Sequence, residues 1–137
     1  MKQDRIDIHI ADQGDRDQLN TVFDVIGAAD IIIDDGSHFM HHQQISFAHL
    51  FKSLKSGGIY VIEDLSSSHP CPPFPPLGFQ ISESDTLTLD MLIEFNNTGK
   101  MNSIFMTDEE CAYLENNIKE CNIHKGSLSE IAFIIKK

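Results

Sequence analysis

Asp30-Ile-Ile-Ile-Asp-Asp-Gly-Ser-His38 is the stretch that organises the rest of the chain. Its apolar run, Ile31 to Ile33, lies between acidic residues and breaks at once into a turn. A strand buried on both faces of a parallel sheet has this pattern. Downstream, His41 to Leu54 carries Ile45, Ala48, Leu50, Phe51 and Leu54, which predicts a helix stopped by Ser56-Gly57-Gly58. Ile59-Tyr-Val-Ile62 is the next strand and ends at Glu63-Asp64. Upstream, Arg5 to Ile10 alternates, with Ile6, Ile8 and Ile10 on one face, which predicts another strand. Ala11 to Asp15 is a turn with Asp15 as a helix N-cap, and Leu19, Val22, Phe23 and Ile26 follow at helical spacing. Strand, helix, strand, helix, strand is the signature of a parallel α/β sheet.

Beyond Asp64 the character changes. Ser66-Ser-Ser68 and the five prolines between Pro70 and Pro76 make a long aperiodic loop over 65–82. Such loops serve as lids or stay mobile. Asp85 to Phe95 predicts a helix through Leu87, Met91, Leu92 and Phe95. Thr107-Asp-Glu-Glu110 is a capping box that opens another helix. Ile118–Ile123 and Glu130–Ile135, joined at Lys125-Gly126, predict an antiparallel hairpin that closes the sheet. There are no internal repeats.

The 137 residues suit one domain spanning 1–137, and 41% hydrophobic residues suffice for a core. A net charge of −11 argues against nucleic acid and anionic membranes, which reward Lys and Arg. Cys71, Cys111 and Cys121 form no CxxC pair, so neither a zinc site nor a disulfide framework is expected. Reduced thiols, the lack of a long apolar run and an N-terminus without an apolar leader core predict a cytoplasmic protein with no membrane span.

In open α/β sheets ligands bind beyond the carboxyl ends of the strands. Here those ends carry Asp12-Gln13, Asp34-Asp35-Gly36-Ser37-His38 and Glu63-Asp64. Each acidic pair alone is better explained by a turn or a solvated strand end. Together, Asp35, Glu63 and Asp64 would repel one another in one cleft, and a hard divalent cation such as Mg²⁺ removes that cost. His38, three residues past Asp35, is a candidate general base. His41, His42 and His49 lack ligand spacing and are expected to be solvated helix residues.

These segments, with Ser46-Phe-Ala-His-Leu-Phe51 and Ser56-Gly-Gly-Ile-Tyr-Val-Ile-Glu-Asp-Leu65, resemble the macrocin and mycinamicin sugar O-methyltransferases of macrolide biosynthesis. The resemblance extends upstream through Asp4 to Asp15 and downstream to Phe133-Ile-Ile-Lys136, with 66–106 poorly matched. It implies a Rossmann-like class I methyltransferase sheet, mostly parallel with a C-terminal antiparallel hairpin. It also implies S-adenosylmethionine and Mg²⁺ as cofactors and a small-molecule hydroxyl as acceptor. Asp35, Glu63 and Asp64 would match the metal ligands, and His38 the base that deprotonates the acceptor. Asp12 and Gln13 would match the adenine-side turn, and Asp34 would lie near the cofactor's methionine end.

The chain departs from the family in lacking the first two strands and their Gly-rich turn. No G-x-G-x-x-G segment occurs in it, and Ala11 stands where the family usually has Gly. S-adenosylmethionine binding by this chain alone is therefore expected to be weak or absent. The implied strand order, 3-2-1-4-5-7-6, would leave Arg5–Ile10 without neighbours. Three outcomes follow: the chain is a fragment of a longer polypeptide, its first segment is displaced beside Asp30–Asp34, or a second chain completes the sheet, as in a homodimer. Two other functions compete: a non-catalytic remnant or interaction subunit, and a metal-dependent hydrolase.

Overall fold

The computed structural model describes residues 5–65 and 86–137. The proline-rich loop, Cys71 and Asp85 lie outside them. The elements are α1 (Arg16–Ile26), β1 (Ala29–Asp34), α2 (Met40–Leu50), β2 (Leu54–Ile62), α3 (Thr88–Thr98), α4 (Asp108–Asn117), β3 (Ile118–Lys125) and β4 (Glu130–Lys136). The sheet runs β1-β2-β4-β3. β1 and β2 are parallel, joined through α2, while β4 lies antiparallel to both β2 and β3. This is the 4-5-7-6 half of the sheet implied by the resemblance.

Local chemistry accounts for the element ends. Asp15 caps α1 by accepting from the N–H groups of Asp17 and Gln18. The capping box at α4 is complete, with Thr107 and Glu110 satisfying each other's backbone N–H groups. Glu110 also holds Arg16 at 2.8 Å, tying α4 to α1. Burial pushes the Glu110 carboxyl up, but the Arg16 and Thr107 hydrogen bonds outweigh it and leave it below its usual range.

The core lies between the sheet and the helices. Phe47, Phe51, Tyr60, Ile62, Leu92, Leu114 and Ile134 are fully buried. Each contributes roughly 1.5–3 kcal/mol by removal from water.

Four expectations change. Arg5–Ile10 is not a strand: Ile6 makes one isolated bridge and residues 7–10 have no regular structure. Ile6, Ile8 and Ile10 are 54%, 80% and 98% exposed, because alternation makes a strand only where a neighbour and a cover exist. β1 is not buried on both faces; it is an edge strand among the described residues, with Ile31 and Ile33 each 60% exposed. The second helix ends at Leu50, and a 3₁₀ turn, Phe51–Ser53, leads directly into β2. Lys136 Nζ donates to the carbonyls of Phe51, Lys52 and Leu54, which rewards the earlier exit. Finally, Gly57-Gly58 lies inside β2, at an irregularity of its pairing with β1. A Cβ on Gly58 would sit 2.9 Å from the Lys55 carbonyl oxygen and 3.0 Å from that of Asp30.

No helix among the described residues is long and apolar enough to cross a membrane. Cys111 and Cys121 are free thiols.

Candidate metal centre

Parallel pairing sets the site. Asp34 is in register with Ile62, so β1 and β2 end together, and the Glu63 N–H extends the ladder to the Asp34 carbonyl at 2.9 Å. Asp35 and Asp64 therefore leave the sheet side by side. His38 and Asp64 both have left-handed backbone, with φ of 58° and 50°. Each such non-glycine conformation costs about 1 kcal/mol or more, and persists only where its surroundings impose it.

His38 Nε2 lies 4.0 Å from Asp35 Oδ1 and 3.7 Å from Asp64 Oδ2. One ligand atom from each of the three residues falls within a 4.8 Å span. The contacts are too long for hydrogen bonds and suit groups that face a shared guest. His38 Nδ1 is buried with no hydrogen-bond partner among the described residues. The structure does not bring Glu63 into this group. Its backbone is engaged at both ends, its carbonyl accepting from Gln43 Nε2 at 3.3 Å.

Beneath the cluster lies a polar network. Asp34 is only 7% exposed. Its carboxylate accepts from Gln13 Nε2 at 2.5 Å, Ser46 Oγ at 2.5 Å and the Tyr60 hydroxyl at 3.0 Å. Burial, with the adjacent Asp34 carboxylate, pushes the Tyr60 phenol well above its usual value, so it remains a donor. Gln13 Oε1 accepts from the Ser37 N–H at 3.1 Å. Asp12 forms an Asx turn, Oδ1 accepting from the Gly14 N–H, and stays exposed. Gln13, Asp34, Asp35, Gly36, Ser46, Tyr60 and nearby apolar residues line a cavity of about 330 Å³.

The chain as a whole is similar to known proteins. No protein-family model matches the chain. It is 44% identical over 68 residues to the 8-demethyl-8-alpha-L-rhamnosyl tetracenomycin-C 2'-O-methyltransferase of Streptomyces olivaceus, a match covering 50% of this chain and 18% of the relative. It is 45% identical over 58 residues to the mycinamicin VI 2''-O-methyltransferase of Micromonospora griseorubida, covering 42% and 14%. Among solved structures, the MycE methyltransferase of the mycinamycin pathway in complex with Mg, SAH and mycinamycin VI superposes with a TM-score of 0.67. That match has 29% identity and covers 99% of this chain and 34% of MycE. The chain is similar to these sugar O-methyltransferases over the matched part. It spans about a third of the solved relatives' length.

Sequence reasoning missed how Gln13, Ser46 and Tyr60 serve Asp34, because no spacing rule joins residues on a turn, a helix and two strands. It also took His42 and His49 for solvated side chains. Instead His42 Nδ1 pairs with Ser37 Oγ at 2.7 Å, and His49 Nε2 with Asn20 Oδ1 at 2.8 Å. His42 also packs against Gly14, where a Cβ would come within 2.7 Å of its ring.

Proposed function

We propose that this chain is the metal-bearing, acceptor-activating part of an S-adenosylmethionine- and Mg²⁺-dependent O-methyltransferase acting on a sugar hydroxyl. The convergence of Asp35, His38 and Asp64 carries the proposal. Its likeness to relatives with that activity supports it. The donor set suits the cation: two exposed carboxylates beside an imidazole, with room for water and substrate oxygens. Glu63 joins them as a ligand only by turning its side chain from its present place.

A divalent cation bound there would neutralise the carboxylates and acidify a coordinated sugar hydroxyl. His38 Nε2 faces the same point and would take the hydroxyl proton, while bound S-adenosylmethionine would supply the methyl group from its sulfonium and leave as the thioether. Asp12, Gln13 and Asp34 border the cofactor's side. Gln13 and Asp34 spend their polar atoms on internal hydrogen bonds, so they shape the cavity wall, while Asp12 presents an exposed carboxylate.

The outer edge of β1, with Ile31 and Ile33 exposed, supports completion of the sheet by a further strand, from the same polypeptide or from a partner chain.

Calorimetric titration with Mg²⁺ and S-adenosylmethionine, separately and together, tests the proposal. The expected result is a Mg²⁺ signal lost in Asp64→Asn, with weak cofactor binding by this chain alone. Ester hydrolysis with Mg²⁺ alone, indifferent to S-adenosylmethionine, would replace the proposal with a metal-dependent hydrolase.

A further inference from the structure

We infer that Gln13 is a positioning residue: it clamps the Ser37 amide to buried Asp34 and so sets the loop that carries Asp35 and His38, an inference that rests on the cation site proposed above.

A carboxylate only accepts hydrogen bonds, so the carboxamide beside it must present its NH₂ group. Gln13 Nε2 accordingly donates to Asp34 Oδ1 at 2.5 Å and lies 3.1 Å from Ser46 Oγ. That choice leaves Oε1 pointing the other way, where the Ser37 N–H meets it at 3.1 Å. Flipping the amide would set oxygen against carboxylate and NH₂ against N–H, so one orientation satisfies both ends. The clamp spans 24 residues of sequence, and thus joins the turn before α1 to the loop after β1.

Gly36 shows that the contact is tight. A Cβ there would overlap the Gln13 carboxamide, and its nearest neighbours are all Gln13 atoms. Gly36 is not among the glycines with positive φ, so what glycine supplies at this position is room for the carboxamide and not backbone freedom. The turn carrying Gln13 is itself fixed, the Asp15 N–H donating to the Asp12 carbonyl at 3.1 Å and the Gly14 N–H to Asp12 Oδ1 at 2.9 Å.

The loop needs such a restraint. His38 directly follows Ser37 and holds its left-handed conformation at φ 58°. Without the clamp, Ser37 keeps its side-chain contact to His42 but loses its amide partner. His38 and Asp35 would then sample wider positions, and a site assembled from them would bind its cation less tightly.

Two variants of the full chain test this. Gln13→Met keeps the length and removes both polar ends. Asp34 retains Ser46 and Tyr60 as donors, so the fold is expected to hold. Gly36→Ala leaves every hydrogen-bonding group in place and displaces the carboxamide. Amide hydrogen exchange followed by NMR is the first readout. Exchange at Ser37 is expected to quicken about tenfold or more in both variants, with α4 amides unchanged, since opening is local. Mn²⁺ affinity is the second readout, and is expected to fall roughly tenfold, as for a lost supporting contact at a metal site.

An unchanged Ser37 rate in both variants overturns the clamp. A rise shared equally by α4 also overturns it, because it marks a general loss of stability. Faster Ser37 exchange with unaltered Mn²⁺ affinity removes the positioning role. If the native chain binds no Mn²⁺, the cation site fails on its own account, and Ser37 exchange still decides whether the clamp exists.

Discussion

Asp34 and Asp35 are neighbours in sequence and opposites in structure. Asp34 is 7% exposed and satisfied by three donors. The Asp35 side chain is 60% exposed and faces His38 across 4.0 Å. One peptide bond separates a carboxylate that the fold uses up from one that it leaves available. Buried polar groups are stable only when fully partnered, and chemistry needs groups that are not. Placing the two side by side lets the first hold the second in position.

Substitutions can break or sharpen that contrast. The largest effect is expected from Asp34→Ala. It strips Ser46 and Tyr60, 1% and 0% exposed, of their shared acceptor. Urea denaturation should show a loss of about 3 kcal/mol or more, since each unsatisfied buried donor costs about 1–3 kcal/mol. Asp35→Asn should alter stability by no more than about 0.5 kcal/mol, as exposed substitutions do. A loss equal to that of Asp34→Ala would erase the distinction.

Tyr60→Phe is intermediate, at about 1 kcal/mol for one donor. It also carries a pH signature. Burial first, and the Asp34 carboxylate second, raise the folded-state value of the phenol above the ordinary value of about 10. The stability linked to its proton is complete below that ordinary value and is lost as pH rises from there through the higher folded value. Denaturation midpoints measured across the alkaline range should therefore fall less steeply in Tyr60→Phe than in the native chain. Ile33→Thr, on the exposed side of β1, should shift the midpoint least, by about 0.5 kcal/mol or less. A loss above about 2 kcal/mol would mean that this face is covered in solution.

Much of the fold was legible because periodicity reports burial. The run through Ile62, the capping box at Thr107 and the hairpin turn at Gly126 each depend on neighbours a few residues away. Arg5–Ile10 was misread for the converse reason: its alternation describes a strand whose partners no described residue supplies. Ile31 and Ile33 misled in the same way, since a continuous apolar run is silent about which face is covered. At the site, Asp35, His38 and Asp64 could be chosen because strand ends of an α/β sheet converge. The Gln13 clamp could not, because it depends on the direction of one carboxamide between two loops. The placement of Glu63 was equally hidden: sequence puts it beside Asp64, but Asp64 turns out of the strand with left-handed backbone, which no spacing rule shows.

The most direct test is a Mn²⁺ titration followed by electron paramagnetic resonance, with Mg²⁺ as competitor, on the native chain and on Asp35→Asn and Asp64→Asn. One site that Mg²⁺ displaces, with affinity reduced about tenfold or more in each variant, is the expected result. A native chain that leaves the Mn²⁺ signal unchanged, or variants that bind as the native chain does, would contradict the assignment of Asp35 and Asp64 as ligands of a divalent cation beside His38.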